Sequence, residues 1–403
     1  MHYFRPMMEF DEQVALCALN KIFGYHPRLA MALMEKAGSA LALFDGKWKA
    51  PGQAGGDGLP DRASHPELLA QLVPSMLEWA RGELTRIREQ GFRFLGYPDP
   101  DYPAPLREIP DPPLGLYLNG STPPTQIFDL HPMVGVVGTR DLSPYGRAWC
   151  RKLVEGLARA KVQPCIVSGM ALGADGIAHQ TALECGLTTI GVLPTGIDKM
   201  YPWQHERLAM QMVETPGCGL VTDYPAGTAP VALNFLRRNR IIAALTRAVI
   251  VVESKSKGGS LMTARYAVEY GRDVYALPGR ADDLRSAGCN SLIHENMAEI
   301  ITTPEDLVAR LGLGASTRGA GGSWASGSGV SLRSSLIRKY GELSAQVRIG
   351  EAVKDNLGIT VEALSALLIL PYQEVLTAVT VMEADGILTT DLLGRCSLTP
   401  NYS

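Results

Sequence analysis

Between Pro132 and Gly312 the sequence alternates short β-branched apolar runs with stretches of helical periodicity, and that alternation restricts the chain to one fold class. Six runs read as strands: Met133–Thr139, Cys165–Ser168, Thr188–Leu193, Leu220–Asp223, Ala248–Glu253 and Asp273–Leu277. Runs that are apolar at nearly every position, not at alternate ones, need burial on both faces, which a parallel sheet covered by helices on both sides provides. Helical patterns fill the intervals at Tyr145–Ala160, Gly173–Cys185, Gln204–Val213, Asn234–Leu245 and Ser260–Tyr270. Right-handed crossovers wind such units into an α/β, Rossmann-like doubly wound parallel sheet.

That core accounts for less than half of 403 residues, and a chain of this length exceeds what one hydrophobic core organises. Three compositional breaks suggest the rest of the plan: Lys49–Pro66, rich in Gly, Pro and Asp; Gly96–Pro124, with nine prolines; and Gly312–Gly329, dominated by Gly, Ser and Ala. The expected partition is a small helical (SAM-like) domain over residues 1–90, an extended connection without regular elements over 91–131, the Rossmann-like domain over 132–311, a flexible linker over 312–330 and a winged-helix-like domain over 331–403. In the last, helices over Val361–Leu370 and Tyr372–Asp385 precede a hairpin around Leu392, Leu393 and Gly394; a helical dimerisation module is the alternative reading of that pattern.

Bulk charge announces no nucleic-acid binder: the net charge is −3, so any polyanion site has to be a local one. The seven cysteines stand far apart without a Cys-x-x-Cys pair, which reads as buried free thiols and predicts neither a zinc site nor any other metal or cofactor. No apolar stretch reaches the roughly 18–20 residues needed to span a bilayer, and Met1–Glu12 lacks a signal-peptide pattern, so no membrane association and a cytoplasmic location are expected.

In open parallel sheets ligands sit outside the carboxyl ends of the strands, which directs attention to the residues following each strand. Gly138-Thr139-Arg140 comes first, with Ser143 to Gly146 opening a helix whose N-terminal amides could receive an anion. Ser168-Gly169 begins a glycine-punctuated loop through Gly173 and Asp175 to His179; for Asp175 and His179 a helix-dipole partner and a packed histidine outweigh an acid/base pair. Phe235 is followed by Arg237, Arg238, Asn239 and Arg240, where guanidiniums could clamp phosphates and the ring could meet a base. Lastly, Lys255 and Lys257 lead into Gly258-Gly259-Ser260 and Thr263, an anion-accepting nest at a helix start that lacks the Walker A spacing. Each loop alone could be an ordinary turn; four on one edge point to extended polyanion binding.

The ordered set Val-Gly-Thr-Arg (137–140), Ser-Gly-x-Ala-x-Gly-Ala-Asp-x-x-Ala-His (168–179), Tyr-Pro (201–202), Phe-x-x-Arg-Asn-Arg-Ile-Ile-Ala (235–243), Val-Val-Glu-x-x-x-x-Gly-Gly-Ser-Leu-Met-Thr-Ala (251–264) and Leu-Pro-Gly (277–279) resembles the DprA family, the DNA-processing protein A of bacteria. The resemblance implies a non-enzymatic protein that binds single-stranded DNA, forms a homodimer and delivers the strand to the RecA recombinase during natural transformation. It also implies a DNA pocket lined by Gly138, Thr139, Arg140, Ser168, Gly169, Phe235, Arg238, Asn239, Arg240, Lys257, Gly258, Gly259, Ser260 and Thr263. Departures are local: Gly-Ala-Asp at 173–175 where the family commonly has Gly-Ile-Asp, Thr222-Asp223 in place of Ser-Glu, and Met297-Ala298 in place of Gly-Ala. Apolar residues Ile241–Leu245, Leu292, Ile293, Ile300 and Ile301 are candidates for a self-association face or for the monomer core.

Two other classes compete. A Rossmann-like nucleotide phosphoribohydrolase of the lysine-decarboxylase-like kind needs a Pro-Gly-Gly-x-Gly-Thr loop and flanking glutamates, of which Lys257–Leu261 is only a partial echo. A winged-helix transcription factor needs basic residues on its recognition helix, and Tyr372–Asp385 contains no Lys or Arg.

Overall fold

The structure, a computed structural model, describes residues 9–45, 65–314 and, with short gaps at 337–338, 342–343, 357–358, 386 and 392–394, 336–398. Two compact units emerge, Met1–Thr317 and Arg318–Ser403. Nearly all of the Lys49–Pro66 break, most of the linker expected over 312–330 and the hairpin turn at Leu392, Leu393 and Gly394 lie outside the described residues.

Strands of the first unit run β1 (Arg93–Gly96), β2 (Gly115–Asn119), β3 (Met133–Val137), β4 (Cys165–Ser168), β5 (Thr189–Val192), β6 (Gly219–Thr222), β7 (Ala248–Val251), β8 (Asp273–Ala276) and β9 (Glu299–Ile300). They form one sheet of order β1-β2-β6-β5-β4-β3-β7-β8-β9. All neighbours from β6 to β9 pair in parallel. The six expected strands are its centre, and β3, β4, β5 and β7 are buried along their whole length because helices cover both faces. The chain steps outward from β3 through β4 and β5 to β6, then crosses back to β7 beside β3. The β3/β7 boundary is therefore the topological switch point, the position at which doubly wound sheets place their ligand crevice.

One expectation is corrected. The stretch read as a connection without regular elements carries β2, which pairs antiparallel with β1 and β6 and extends the sheet at one edge. Seven prolines between Pro98 and Pro113 obscured this, yet all of them fall between β1 and β2, while Gly-Leu-Tyr-Leu-Asn of β2 is free of proline and can donate to both neighbours.

Helices before the sheet are α1 (Phe10–Phe23), α2 (Pro27–Ala37), α3 (Pro66–Leu69) and α4 (Pro74–Glu89). Val14, Leu16 and Phe23 of α1 share a core with Leu84 and Ile87 of α4 and with Met170, Leu193 and Met212 of the sheet layer. The buried Asn20 side chain donates to the Asp223 carbonyl at 2.8 Å, fixing α1 to the end of β6. The remaining helices are α5 (Ala104–Arg107), α6 (Pro124–Phe128), α7 (Pro144–Ala158), α8 (Ala174–Glu184), α9 (Glu206–Glu214), α10 (Ala232–Leu245), α11 (Gly259–Glu269), α12 (Ala287–His294) and α13 (Pro304–Arg310). Ile241–Leu245, Leu292 and Ile301 are buried in the monomer, so of the candidate self-association residues only Ile300 is well exposed.

In the second unit, helices Ala345–Asp355, Val361–Leu368 and Tyr372–Ala384 pack around Leu364, Val375, Val379 and Met382. Strand Arg395–Leu398 pairs antiparallel with Ile359–Thr360 on one side and Leu388–Thr390 on the other. Among the described residues no single helix is long and apolar enough to cross a membrane.

Candidate functional site

The loops after β3 and β7 meet at the switch point. Thr139 N donates to the Glu253 carbonyl at 2.7 Å, tying the Gly138–Arg140 turn to the start of the 253–260 loop. Gly138 is sterically required: a Cβ there would stand 2.8 Å from that of Ala174. The expectation that the N-terminus of α7 receives an external anion is corrected here. The buried Glu253 carboxylate already occupies it, accepting from Ser143 N at 2.9 Å and from the Ser143 hydroxyl, while Ser143 Oγ caps Gly146 N at 3.0 Å. Arg140 remains exposed, its guanidinium carbon 5.0 Å from the centre of the Phe235 ring.

The glycine loop after β4 is likewise largely self-satisfied. Ser168 is fully buried and its hydroxyl donates to the Val136 carbonyl at 2.6 Å. Ala174 N, at the start of α8, donates to the Thr139 carbonyl at 3.2 Å, and Asp175 accepts from Ala171 N at 3.2 Å. Burial raises the Asp175 pKa against the opposing pull of Arg238. His179 is fully buried, bonded through Nδ1 to Thr189 Oγ1 at 2.7 Å, and burial pushes its pKa down to about 3. A neutral imidazole locked beneath the sheet surface packs the core and reaches no substrate, in keeping with the packed-histidine reading.

Helix α10 links the loops. Phe235, Arg238 and Asn239 lie at i, i+3 and i+4 and therefore on one face. Phe235 meets Arg140; Arg238 donates to the carbonyls of Gly169 and Val192; Asn239 Nδ2 donates to the Gly259 carbonyl at 3.2 Å. Arg238 is 3% exposed, and desolvation lowers its pKa to about 10, with Asp175 partly offsetting the effect. Gly169 is its platform, since a Cβ there would come within 2.3 Å of Arg238 Nη1. Arg240 faces the other way, two residues and roughly 200° round the helix from Arg238. It is 2% exposed, ion-paired to Asp223 at 2.7 Å and bonded to the Asp111 carbonyl, so the structure assigns this expected phosphate ligand to the core.

The loop before α11 is the most open donor set. Gly258 N closes a turn onto the Lys255 carbonyl, and Ser260 Oγ donates to Ser254 Oγ at 2.8 Å. The Gly259 and Ser260 amides have no protein acceptor among the described residues, Gly259 is exposed, and nothing stands within 4 Å of where its Cβ would be. Exposed Lys255 and Lys257 flank them without an ion-pair partner among the described residues, whereas Thr263 is buried one turn into α11. Two unpaired amides at a helix start, with two exposed lysines in the same loop, are groups that can hold an anion.

Sequence reasoning missed Tyr201, whose ring stands edge-on to Phe235 with centroids 5.5 Å apart, making an Arg140–Phe235–Tyr201 row along the crevice. Its signal was the Tyr-Pro pair after β5, quoted as part of the resemblance but not read as a surface. Among the described residues no three His, Cys, Asp or Glu side chains form a metal-binding group.

A mostly parallel sheet covered by helices on both faces, with glycine-rich loops following its strands at the switch point, defines the class: a Rossmann-like α/β protein. The sequence matches the DNA recombination-mediator protein A family over residues 93–312, more than half of the chain, and the chain belongs to that family. Protein Smf of Synechocystis is 44% identical over 221 residues, covering 55% of this chain and 54% of that protein. DNA processing protein DprA of Streptococcus pneumoniae is 40% identical over 222 residues, 55% of this chain and 74% of that one. The match thus spans about half the length of the Smf relatives. The X-ray structure of the pneumococcal DprA superposes with a TM-score of 0.58 at 32% identity, covering 75% of this chain and 98% of that one.

Proposed function

We propose that this chain binds single-stranded DNA without sequence preference in the switch-point crevice, self-associates, and delivers the strand to the RecA recombinase in natural transformation and recombination. It acts by binding and not by catalysis. One observation carries the reading: the unpaired amides and lysines before α11 lie on the same edge as the Arg140–Phe235–Tyr201 row, pairing a phosphate acceptor with ring faces. Phosphate donors plus rings, without base-edge readers, suit a flexible strand of any sequence and do not suit a duplex, whose bases are stacked away. The RecA and homodimer roles rest on family membership. The second unit is proposed as a winged-helix module that contacts protein, because its helix Tyr372–Ala384 bears no Lys or Arg to meet duplex phosphates.

A mobility-shift titration with single-stranded, duplex and mononucleotide ligands tests the reading. Single strands are expected to bind at physiological salt and duplexes of equal length much more weakly. Equal duplex affinity, or tight binding of the mononucleotide alone, would overturn it and favour a nucleotide site instead.

A further inference from the structure

Large aromatic side chains rarely stay in water unless something covers them, because each can bury 150–250 Å². Trp203 is 74% exposed, the most open aromatic among the exposed large hydrophobic residues of the first unit. Its backbone is nevertheless firmly held. It opens the 3-10 turn Trp203–His205, and at the far end of that turn His205 Nδ1 bonds the Met170 carbonyl at 2.9 Å. The His205 ring lies against Gly176, where a Cβ would approach its Cε1 to 2.5 Å, so this turn is seated on the first turn of α8. On the other side, two residues away and so at most about 7 Å along the chain, Tyr201 contacts Phe235. An indole with no core role is thereby presented on a fixed support, flanked by one residue of the aromatic row and one that touches the glycine loop.

We infer that Trp203 is a base-stacking residue that continues the Arg140–Phe235–Tyr201 row, so that a strand whose phosphates lie at the α11 loop lays a further nucleobase on the indole. The inference deepens the proposed binding of single-stranded DNA and rests on it. Indole is an effective partner here because stacking on a ring face tolerates any base. Trp203 adds no charge, so it contributes base contact and no phosphate contact.

The experiment compares the full-length protein with Trp203→Ala and Trp203→Phe, using an oligothymidylate and an abasic sugar–phosphate strand of the same length. Trp203→Ala is expected to weaken oligothymidylate binding about tenfold, with Trp203→Phe closer to wild type, as alanine substitutions at base-stacking aromatics behave. Affinity for the abasic strand and the salt dependence of binding are expected to stay unchanged, and so is the melting temperature, since the side chain has no core contact to lose. Trp203→Ala binding oligothymidylate like wild type, or losing the abasic strand equally, overturns the inference while leaving the proposed function intact. If wild type binds neither strand, the proposed function itself fails, and the inference with it.

Discussion

Gly173 is where two of the crevice loops touch, and replacing it with alanine strains both. The residue has φ +81° and ψ −122°, a conformation that L side chains rarely adopt. A Cβ there would lie 2.4 Å from the Thr139 carbonyl oxygen and 2.6 Å from that of Arg140. Both obstacles are backbone and cannot rotate aside, so the 139–140 turn must move away from α8. The conformational strain costs about 1–3 kcal/mol and the overpacking a similar amount, roughly 2–6 kcal/mol together. Native stabilities of about 5–15 kcal/mol leave a folded protein. At about 2 °C per kcal/mol for a large domain, the midpoint of thermal unfolding is expected to fall roughly 4–12 °C. Because the displaced turn carries Arg140, affinity for a single-stranded oligonucleotide measured by fluorescence anisotropy should fall as well. Gly186→Ala is the control: its φ is +73° but nothing stands within 4 Å, so it bears backbone strain alone and leaves binding unchanged. If Gly173→Ala melts and binds like Gly186→Ala, the close approach of the loops has no energetic weight and the reasoning is wrong.

Gly259→Ala makes the opposite case: the open space at this helix start leaves thermal stability unchanged or slightly raised, while the new methyl group obstructs an incoming phosphate and weakens single-strand binding; wild-type affinity would place the strand elsewhere. Arg240→Met leaves Asp223 a buried charge without its partner, so a loss of about 3–5 kcal/mol is expected in chemical denaturation, with the salt dependence of DNA binding unaltered; a shallower salt slope would return Arg240 to the interface. His179 has its pKa lowered from 6.5 to about 3 by burial, so below pH 6.5 the unfolded chain takes up a proton that the folded protein refuses. Stability linked to this group is therefore complete above pH 6.5 and lost at up to roughly 1.4 kcal/mol per pH unit as pH falls towards 3. His179→Gln should flatten that part of the pH–stability curve, and parallel curves for the two proteins between pH 6 and 4 would contradict the assignment.

The parallel sheet was legible because strands buried on both faces have no choice of composition, and Ala248-Val249-Ile250-Val251 shows it plainly. Helical spacing alone carries one further distinction: 235, 238 and 239 share a face and 240 does not, which separates Arg240 from the crevice. Other features were beyond local pattern. Glu253 fills the N-terminus of α7 from 110 residues away, removing a helix start that looked free. Strand β2 was hidden by its proline-rich approach, although its own five residues contain none. Tyr201 and Phe235 meet only because the loop after β5 folds over the start of α10.

Salt dependence reads the central claim most directly, because it counts the phosphates that the protein neutralises. For single strands the logarithm of the binding constant falls with the logarithm of salt concentration by about 0.7 per phosphate contact. Measured on the folded protein, replacing both Arg140 and Lys257 with alanine should lower the steepness of that line by about 1.4, two contacts' worth, without shifting the melting midpoint. An unchanged slope in the double variant would mean that the strand does not lie in the switch-point crevice.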